Sequence, residues 1–480
     1  ITGDSHELSP ICGEPRGLAW QETGDLVHVA CATGELVSVP AGGGSPVRTL
    51  RLERDLRDVI VRPSGGLVVS TFRSAQLIEL DAQGIELRRI VPPTIQRTER
   101  PGSGGDLLLA VGDVHDATPA VAWRTIALPD GRILMSHQRR VALLLSPTPG
   151  GYGGGCGASA VESALTVIGT DGVAVAVAPI AIGPLPVDVA VDPTSGTIAM
   201  VTAGNQGLWI APASALAKPD DDQCDFSSAM PWFGPGAPTA VAFRPNGALV
   251  AFLSESGQLV FPSNTESRLI GLDAEVGSDE GRALFHRETA AGIACASCHP
   301  EARDDGGVWM FDGLGPRRTQ NVSGSILARA PYHWGGDMAS LPVLLDDVFA
   351  QRMGGGFVVP EQAAALAAWL DRLKAPRGVV VDIAAVQRGF ELFNAPEQGC
   401  TSCHNGELLT NNKLVNVGTN GVVKVPSLVG VGGRAPYMHD GCAATLRDRF
   451  GVCGGGDNHG HTSQLGAAEL DDLIAYLESL

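Results

Sequence analysis

No apolar run in this chain approaches the roughly 18 residues that a membrane-spanning helix requires, so no transmembrane helix is expected. No run of Lys and Arg occurs either. With 34 basic against 52 acidic residues the formal net charge is −18, which makes nucleic acid and anionic membrane poor partners. A basic or redox-protein partner fits that charge, although a solvated acidic surface is its ordinary cause. The chain starts at Ile1 with no Met and no signal sequence ahead of it, which reads as a processed, mature form. Long helices are disfavoured by 62 Gly and 32 Pro, which point to many turns. At 480 residues the chain exceeds what one core supports, and two or three domains are expected.

Two short stretches carry chemistry. Cys295, Cys298 and His299 form one C-x-x-C-H motif, and Cys400, Cys403 and His404 form another. Two thiols three residues apart on one turn can each add to a haem vinyl group, and the next imidazole then lies under the porphyrin face. A lone C-x-x-C is as well explained by half a zinc site or a redox dithiol. Two copies, each followed by His, point instead to two covalently bound c-type haems, with His299 and His404 as proximal iron ligands. The remaining cysteines are Cys12, Cys31, Cys156, Cys224, Cys442 and Cys453, an even set whose nearest-neighbour pairing would give three disulfides. Disulfides together with c-type haem predict a periplasmic or secreted protein.

The first half, residues 1–271, shows period-2 alternation broken by Gly, Pro, Asp and Asn turns. Five segments look alike: Gly17–Val39, Asp58–Leu80, Thr125–Leu145, Val187–Ile210 and Ala240–Phe261. Each reads as strand, turn, strand, gap, strand, and the first two start 41 residues apart (17 to 58), close to a propeller blade. A β-propeller of six or seven blades is expected, with a β-sandwich as the other candidate. The glycine-rich stretch Gly150–Gly155 lacks the Lys and Ser/Thr of a phosphate loop and reads as a flexible surface loop. Asp220, Asp221 and Asp222 are a weak cation candidate, and His115 and His137 have no partners at ligand spacing.

From about residue 275 the periodicity becomes helical and repeats. The motifs lie 105 residues apart (295 to 400), and Leu366–Leu373 matches Leu473–Leu480 at an offset of 107. An opening helix, a C-x-x-C-H motif and a closing helix with an aromatic residue is the plan of a class I cytochrome c domain. Two such α-helical domains are expected, 272–376 and 377–480.

This half resembles the bacterial di-haem cytochrome c peroxidases and their relative, the di-haem enzyme that matures the tryptophan-derived cofactor of methylamine dehydrogenase. The resemblance covers about residues 275–480. Beyond the two motifs it is carried by Leu284, Phe285, Trp334, Gly336, Leu341, Val425–Leu428, Pro436–Gly441, Thr445 and Leu446. The half in front resembles the β-propeller fusions of some of these proteins. The resemblance implies that the first haem is the high-spin centre where peroxide or oxygen reacts and that the second is a six-coordinate electron relay. No His lies between His299 and His333, which suggests a five-coordinate first iron; His333, beside Trp334, is a second candidate ligand for that iron, with packing as its other reading. Trp334 falls where the family keeps a tryptophan between its haems. The family's peroxide-cleaving glutamate, which precedes a Met, is replaced by Arg352 before Met353. An arginine can stabilise charge but cannot shuttle a proton, so Gln351, Asp346 and Asp347 are the substitutes to consider. The family's interdomain calcium site is also altered, because its asparagine and threonine align near Arg318 and Arg434. For the second iron, the distal position aligns with Cys453, a disulfide candidate with Cys442; the distal ligand candidates are then His459, Met438 and His461.

The function implied is a di-haem oxidoreductase that reduces hydrogen peroxide, or uses it to oxidise a partner through high-valent haem iron. Its partner would be a small cytochrome, a copper protein or a protein substrate, and homodimers are common among the relatives. The alternative is a non-catalytic di-haem electron-transfer cytochrome with the propeller as a docking module, or a propeller scaffold with the haems as redox sensor.

Overall fold

The computed structural model describes residues 11–98, 113–154, 159–180, 183–220, 230–232, 237–262, 267–272, 279–419 and 421–480. The first half forms a series of antiparallel sheets, each built from strands adjacent in sequence. Four-stranded sheets span 15–51, 56–90, 188–232 and 238–271, and a five-stranded sheet spans 95–177. Alternating apolar residues bury in layers between them, as Leu36, Leu56, Leu67 and Ile78 do between the first two sheets. Each such side chain contributes about 1.5–3 kcal/mol.

One strand of each sheet packs beside one of the next, from Pro15–Gln21 through Leu56–Val61, Val114–Ala127 and Asp188–Val191 to Pro238–Phe243; it is the first strand of its sheet in all but the third, where it is the second. This is a fan of blade-like sheets, propeller-like in arrangement and unlike two sheets stacked in a sandwich. Gly17 permits one of these approaches, since a Cβ there would meet the backbone of Arg57 and Asp58. The five segments read from the sequence fall one in each sheet. Six or seven blades were expected, whereas the described residues form five. Among the described residues, the stretch between the second and fourth segments forms no extra blade. It is absorbed by one sheet whose strands Val114–Ala127 and Ile133–Val141 run to 14 and 9 residues.

The second half is mainly short helices and loops in two copies of one pattern. Helix Glu280–His286 crosses Pro360–Arg372, and helix Ile383–Asn394 crosses Ala467–Ser479. Asp279 and Asp382 cap the two opening helices. Gly281 and Gly389 lie where the crossings touch, against the backbone oxygens of Ala365 and Asp472. Phe285 meets Trp369 at 5.0 Å and Phe393 meets Tyr476 at 5.2 Å. The division expected at 271/272 adjoins residues 273–278, which are outside the described set, and that at 376/377 falls between two helices.

The two copies relate differently to the sheets. Leu144–Leu145, which follows the third sheet, pairs in parallel with Val308–Phe311 of the helical half. Phe72, Trp123, Val141 and Leu185 of the sheets share one apolar core with Leu284, Phe285, Phe349 and Trp369. The second copy keeps its own core of Phe393, Val431, Leu446, Leu473, Tyr476 and Leu477.

Cys12–Cys31 and Cys442–Cys453 are disulfides, while Cys156 and Cys224 lie outside the described residues. Asp220 is occupied by Arg97 at 2.8 Å and Arg139 at 2.7 Å, which removes it as a cation ligand; Asp221 and Asp222 lie outside the described residues. His137 is a core residue held by the Gln138 carbonyl at 2.8 Å and Thr166 at 2.9 Å. Among the described residues no helix is long and apolar enough to cross a membrane.

Candidate functional site

The second motif opens onto a cleft with about 1370 Å³ of empty space, part of it open to solvent. Gly399, at φ +71°, turns the chain into a single 3₁₀ turn, Cys400–Ser402, and the thiols of Cys400 and Cys403 are free rather than joined. His404 is buried, and its Nδ1 meets the Leu409 carbonyl at 3.0 Å, which leaves Nε2 available. Across the cleft stands His459, carried by the short turn Gly456–His459. The ring centroids of His404 and His459 are 6.3 Å apart. Two imidazoles that share one metal ion at about 2 Å place their centroids about 6 Å apart. Burial, with help from Arg449, holds both rings neutral, His404 at about 4 and His459 at about 3. Neutral imidazole is the ligating form.

The other distal candidates are placed as follows. Met438, at φ +71°, lines the same cleft. His461 is exposed and is not among the residues lining the cleft, and Cys453 is taken by its disulfide. Arg449 donates to the His459 carbonyl and stacks on Phe450, which fixes the loop.

The cleft wall is mostly apolar, with Phe393, Val425, Leu446 and Leu473, but Arg318, Lys424, Arg434 and Arg449 also line it, and none of its described lining residues is acidic. Burial lowers Lys424 to about 8 and Arg434 and Arg449 each to about 10. Burial outweighs the Asp304 carboxylate near Arg434, and among the described residues neither Lys424 nor Arg449 has a carboxylate partner. Arg318 Nε and Arg434 Nε have no hydrogen-bond partner. Free thiol pair, facing imidazoles, apolar walls and a cationic edge together fit a haem c with its two carboxylates.

The first motif repeats this stereochemistry in a different setting. Cys295–Cys298 forms one helical turn with both thiols free, and His299 Nδ1 meets the Arg303 carbonyl at 3.2 Å. Burial raises Cys295 to about 12 and also lifts Cys298 well above the ordinary thiol value. Here the surroundings come from the sheets. Gln138, oriented by Trp123, donates to the Ser297 carbonyl at 2.8 Å. Glu301 is gripped by Arg16 and Arg57 at 2.6 Å each, and Arg303 by Glu14 at 2.8 Å. Asp304 is held by Arg73 at 2.9 Å and Arg318 at 2.8 Å. The opposition of charges drops Glu301 to about 2 despite its burial.

Trp334 donates to the Arg318 carbonyl at 2.8 Å, lines the second cleft and meets the ring of His439 at 6.3 Å. His439 is buried with Nδ1 unpartnered. The helical half thus places Trp334 and His439 together in duplicated turns, where His333 and Met438 both have positive φ. His333 pairs with Asp337 at 3.2 Å and is partly exposed. Arg352 ends the π-helical segment Leu345–Arg352, buried, paired with Asp347 and with Nε unpartnered. Gln351 is exposed and turns to Asp346 at 3.4 Å, so the structure does not bring it together with Arg352. Arg318 fills the space between the two copies, donating to Asp304, Thr319 and the Arg434 carbonyl.

Sequence reading did not single out Arg449, His439, Lys424 or the sheet arginines. Of these only His439 carried a signal, its place inside the duplicated Pro436–Gly441 turn.

No family model matches the chain. The γ subunit of hydrazine synthase from Kuenenia stuttgartiensis is 28% identical over 144 residues, 20% of this chain and 41% of that subunit. The chain therefore spans under half the length of that curated relative. Among solved structures, the Kuenenia stuttgartiensis hydrazine synthase pressurised with xenon overlaps 43% of this chain and 89% of its own, with TM-score 0.36 and 23% identity. The Staphylococcus aureus virginiamycin B lyase overlaps 55% of this chain and 71% of its own, with TM-score 0.36 and 10% identity.

Proposed function

We propose that the chain is a di-haem c-type oxidoreductase of the cytochrome c peroxidase kind, with a reactive first site and an electron-relay second site in two cytochrome c-like modules. The observation that carries this reading is the His404–His459 pair, 6.3 Å apart over a cleft beside a free Cys400/Cys403 pair. A curated relative that is a subunit of a redox enzyme is in keeping with it.

When bound, the haems supply one-electron transfer and activation of an O–O bond. The chain's own residues set the division of labour. Cys400 and Cys403 would tether the second haem, His404 and His459 would be the imidazoles offered to its iron, and Arg318, Lys424 and Arg434 would face its carboxylates. Two imidazoles already facing each other suit relay work, because little would rearrange on electron transfer. Cys295, Cys298 and His299 hold the first haem, and Arg352 offers a fixed positive charge to a small oxygen-bearing substrate such as hydrogen peroxide. Trp334, with His439 beside it, stands on the route between the sites. Two disulfides favour an oxidising compartment, the periplasm or beyond. The acidic surface suits a basic or redox-protein partner.

A haemochrome assay should find two haems per chain, and EPR of the oxidised protein should show one low-spin and one high-spin ferric centre that responds to hydrogen peroxide. Two low-spin centres with no response would favour the electron-transfer cytochrome. That reading gains from one observation, the locking of Arg352 onto Asp347.

A further inference from the structure

The glycine-rich stretch Gly150–Gly154 is not a loose loop. Gly150 N–H donates to the Gln351 carbonyl at 2.9 Å and Tyr152 N–H to the Arg352 carbonyl at 3.3 Å. The glycines allow this closeness: a Cβ on Gly151 would run into the Ser146 carbonyl, and Gly150 sits at φ +74°. The stretch delivers one large side chain. The Tyr152 ring packs edge-on against Phe311 at 5.9 Å and joins the apolar cluster that contains Cys295, Cys298, Phe349 and Met353. Arg352 lies beside its phenol, and burial keeps that phenol protonated and a hydrogen-bond donor. Arg352 Nε–H, buried in the same place, has no acceptor.

We propose that Tyr152, supplied by the sheet half, combines with Arg352 to form a two-donor site for a small anion or oxygen-bearing ligand at the first motif. This rests on the di-haem reading. The phenol oxygen is bonded to Arg352 and the Asp347 carboxylate is taken up in its pair with Arg352, which leaves the phenol O–H and the guanidinium Nε–H as two donors, an arrangement that selects ligands rich in lone pairs. The sheets are then part of the site and more than a platform for docking.

The test uses the full-length haem-loaded protein and its Tyr152→Phe variant, which keeps the ring and removes the hydroxyl. Fluoride, which binds ferric iron and accepts hydrogen bonds, is titrated by absorbance, with imidazole as a ligand that binds iron without needing those donors. The expected result is fluoride affinity lowered about tenfold, imidazole affinity unchanged and haem content unchanged. Equal fluoride affinity in the two proteins overturns the proposal, and so does an equal loss for both ligands, which marks Tyr152 as packing. Wild-type protein that carries haem but binds neither ligand defeats the parent reading of an open first site, and this proposal falls with it.

Discussion

At the scale of single residues, burial decides which groups are poised for work. His404 and His459 have both lost water and stay neutral, so each holds a lone pair toward the cleft. Replacing His459 with Ala should convert the second centre from low-spin to high-spin in EPR, while Met438→Ala should leave it low-spin. The reverse pattern would make Met438 the ligand. Glu301 shows the opposite balance, because Arg16, Arg57 and Arg303 overcome its burial and hold it near 2, below the ordinary 4.5. A carboxylate with a depressed folded-state pKa adds stability that is fully present above 4.5 and is lost as pH falls from there toward 2. Glu301→Gln should therefore lower stability at pH 6 and flatten the acid limb of stability against pH. Denaturant midpoints measured from pH 6 to 3 check this, and parallel curves would mean that the pairs contribute nothing.

At the scale of elements, the helix crossings are the most exposed to small changes. Gly281→Ala and Gly389→Ala each put a methyl against backbone that no rotamer can move. A loss of about 1–3 kcal/mol is expected for each, read as a lowered thermal midpoint. Unchanged midpoints would show that the helices can separate freely. This is also the scale at which the sequence was most readable. Period-2 alternation located the sheets, and the repeats around Cys295 and Cys400 located the paired helices, because both patterns are local. Sheet three was misjudged since nothing local separates two short strands from one long one such as Val114–Ala127. The grip of Arg16 and Arg57 on Glu301 spans 285 and 244 residues, and charge alternation along a strand names no partner at that distance. Tyr152 was hidden for a related reason: glycines that permit close docking look the same in sequence as glycines that permit motion.

At the scale of the whole molecule, the two motifs have unequal support. The first is set in a core continuous with the sheets, and the second rests on a core of its own. Hydrogen exchange should show amides of the Cys295 segment opening together with the third sheet, while those of Ile383–Asn394 and Ala467–Ser479 open independently and earlier. A single common opening rate would show that all three parts form one cooperative unit. Arg73→Ala should bring the two rates for the Cys295 segment and the sheets apart, because Arg73 ties Asp55 of the sheets to Asp304.

The burial of the first motif also bears on how the protein is made. Thioether formation needs accessible thiols, and a thiolate reacts where a thiol does not. In the finished fold burial raises Cys295 to about 12 and lifts Cys298 well above its ordinary value, with Gln138 and the sheet arginines closed around their segment. On the di-haem reading proposed above, covalent loading at that position would precede closure of the sheets over it. That reading gives biogenesis an order: the sheets leave the ribosome first, yet they would wait for a later segment to receive its cofactor before the shared core could set.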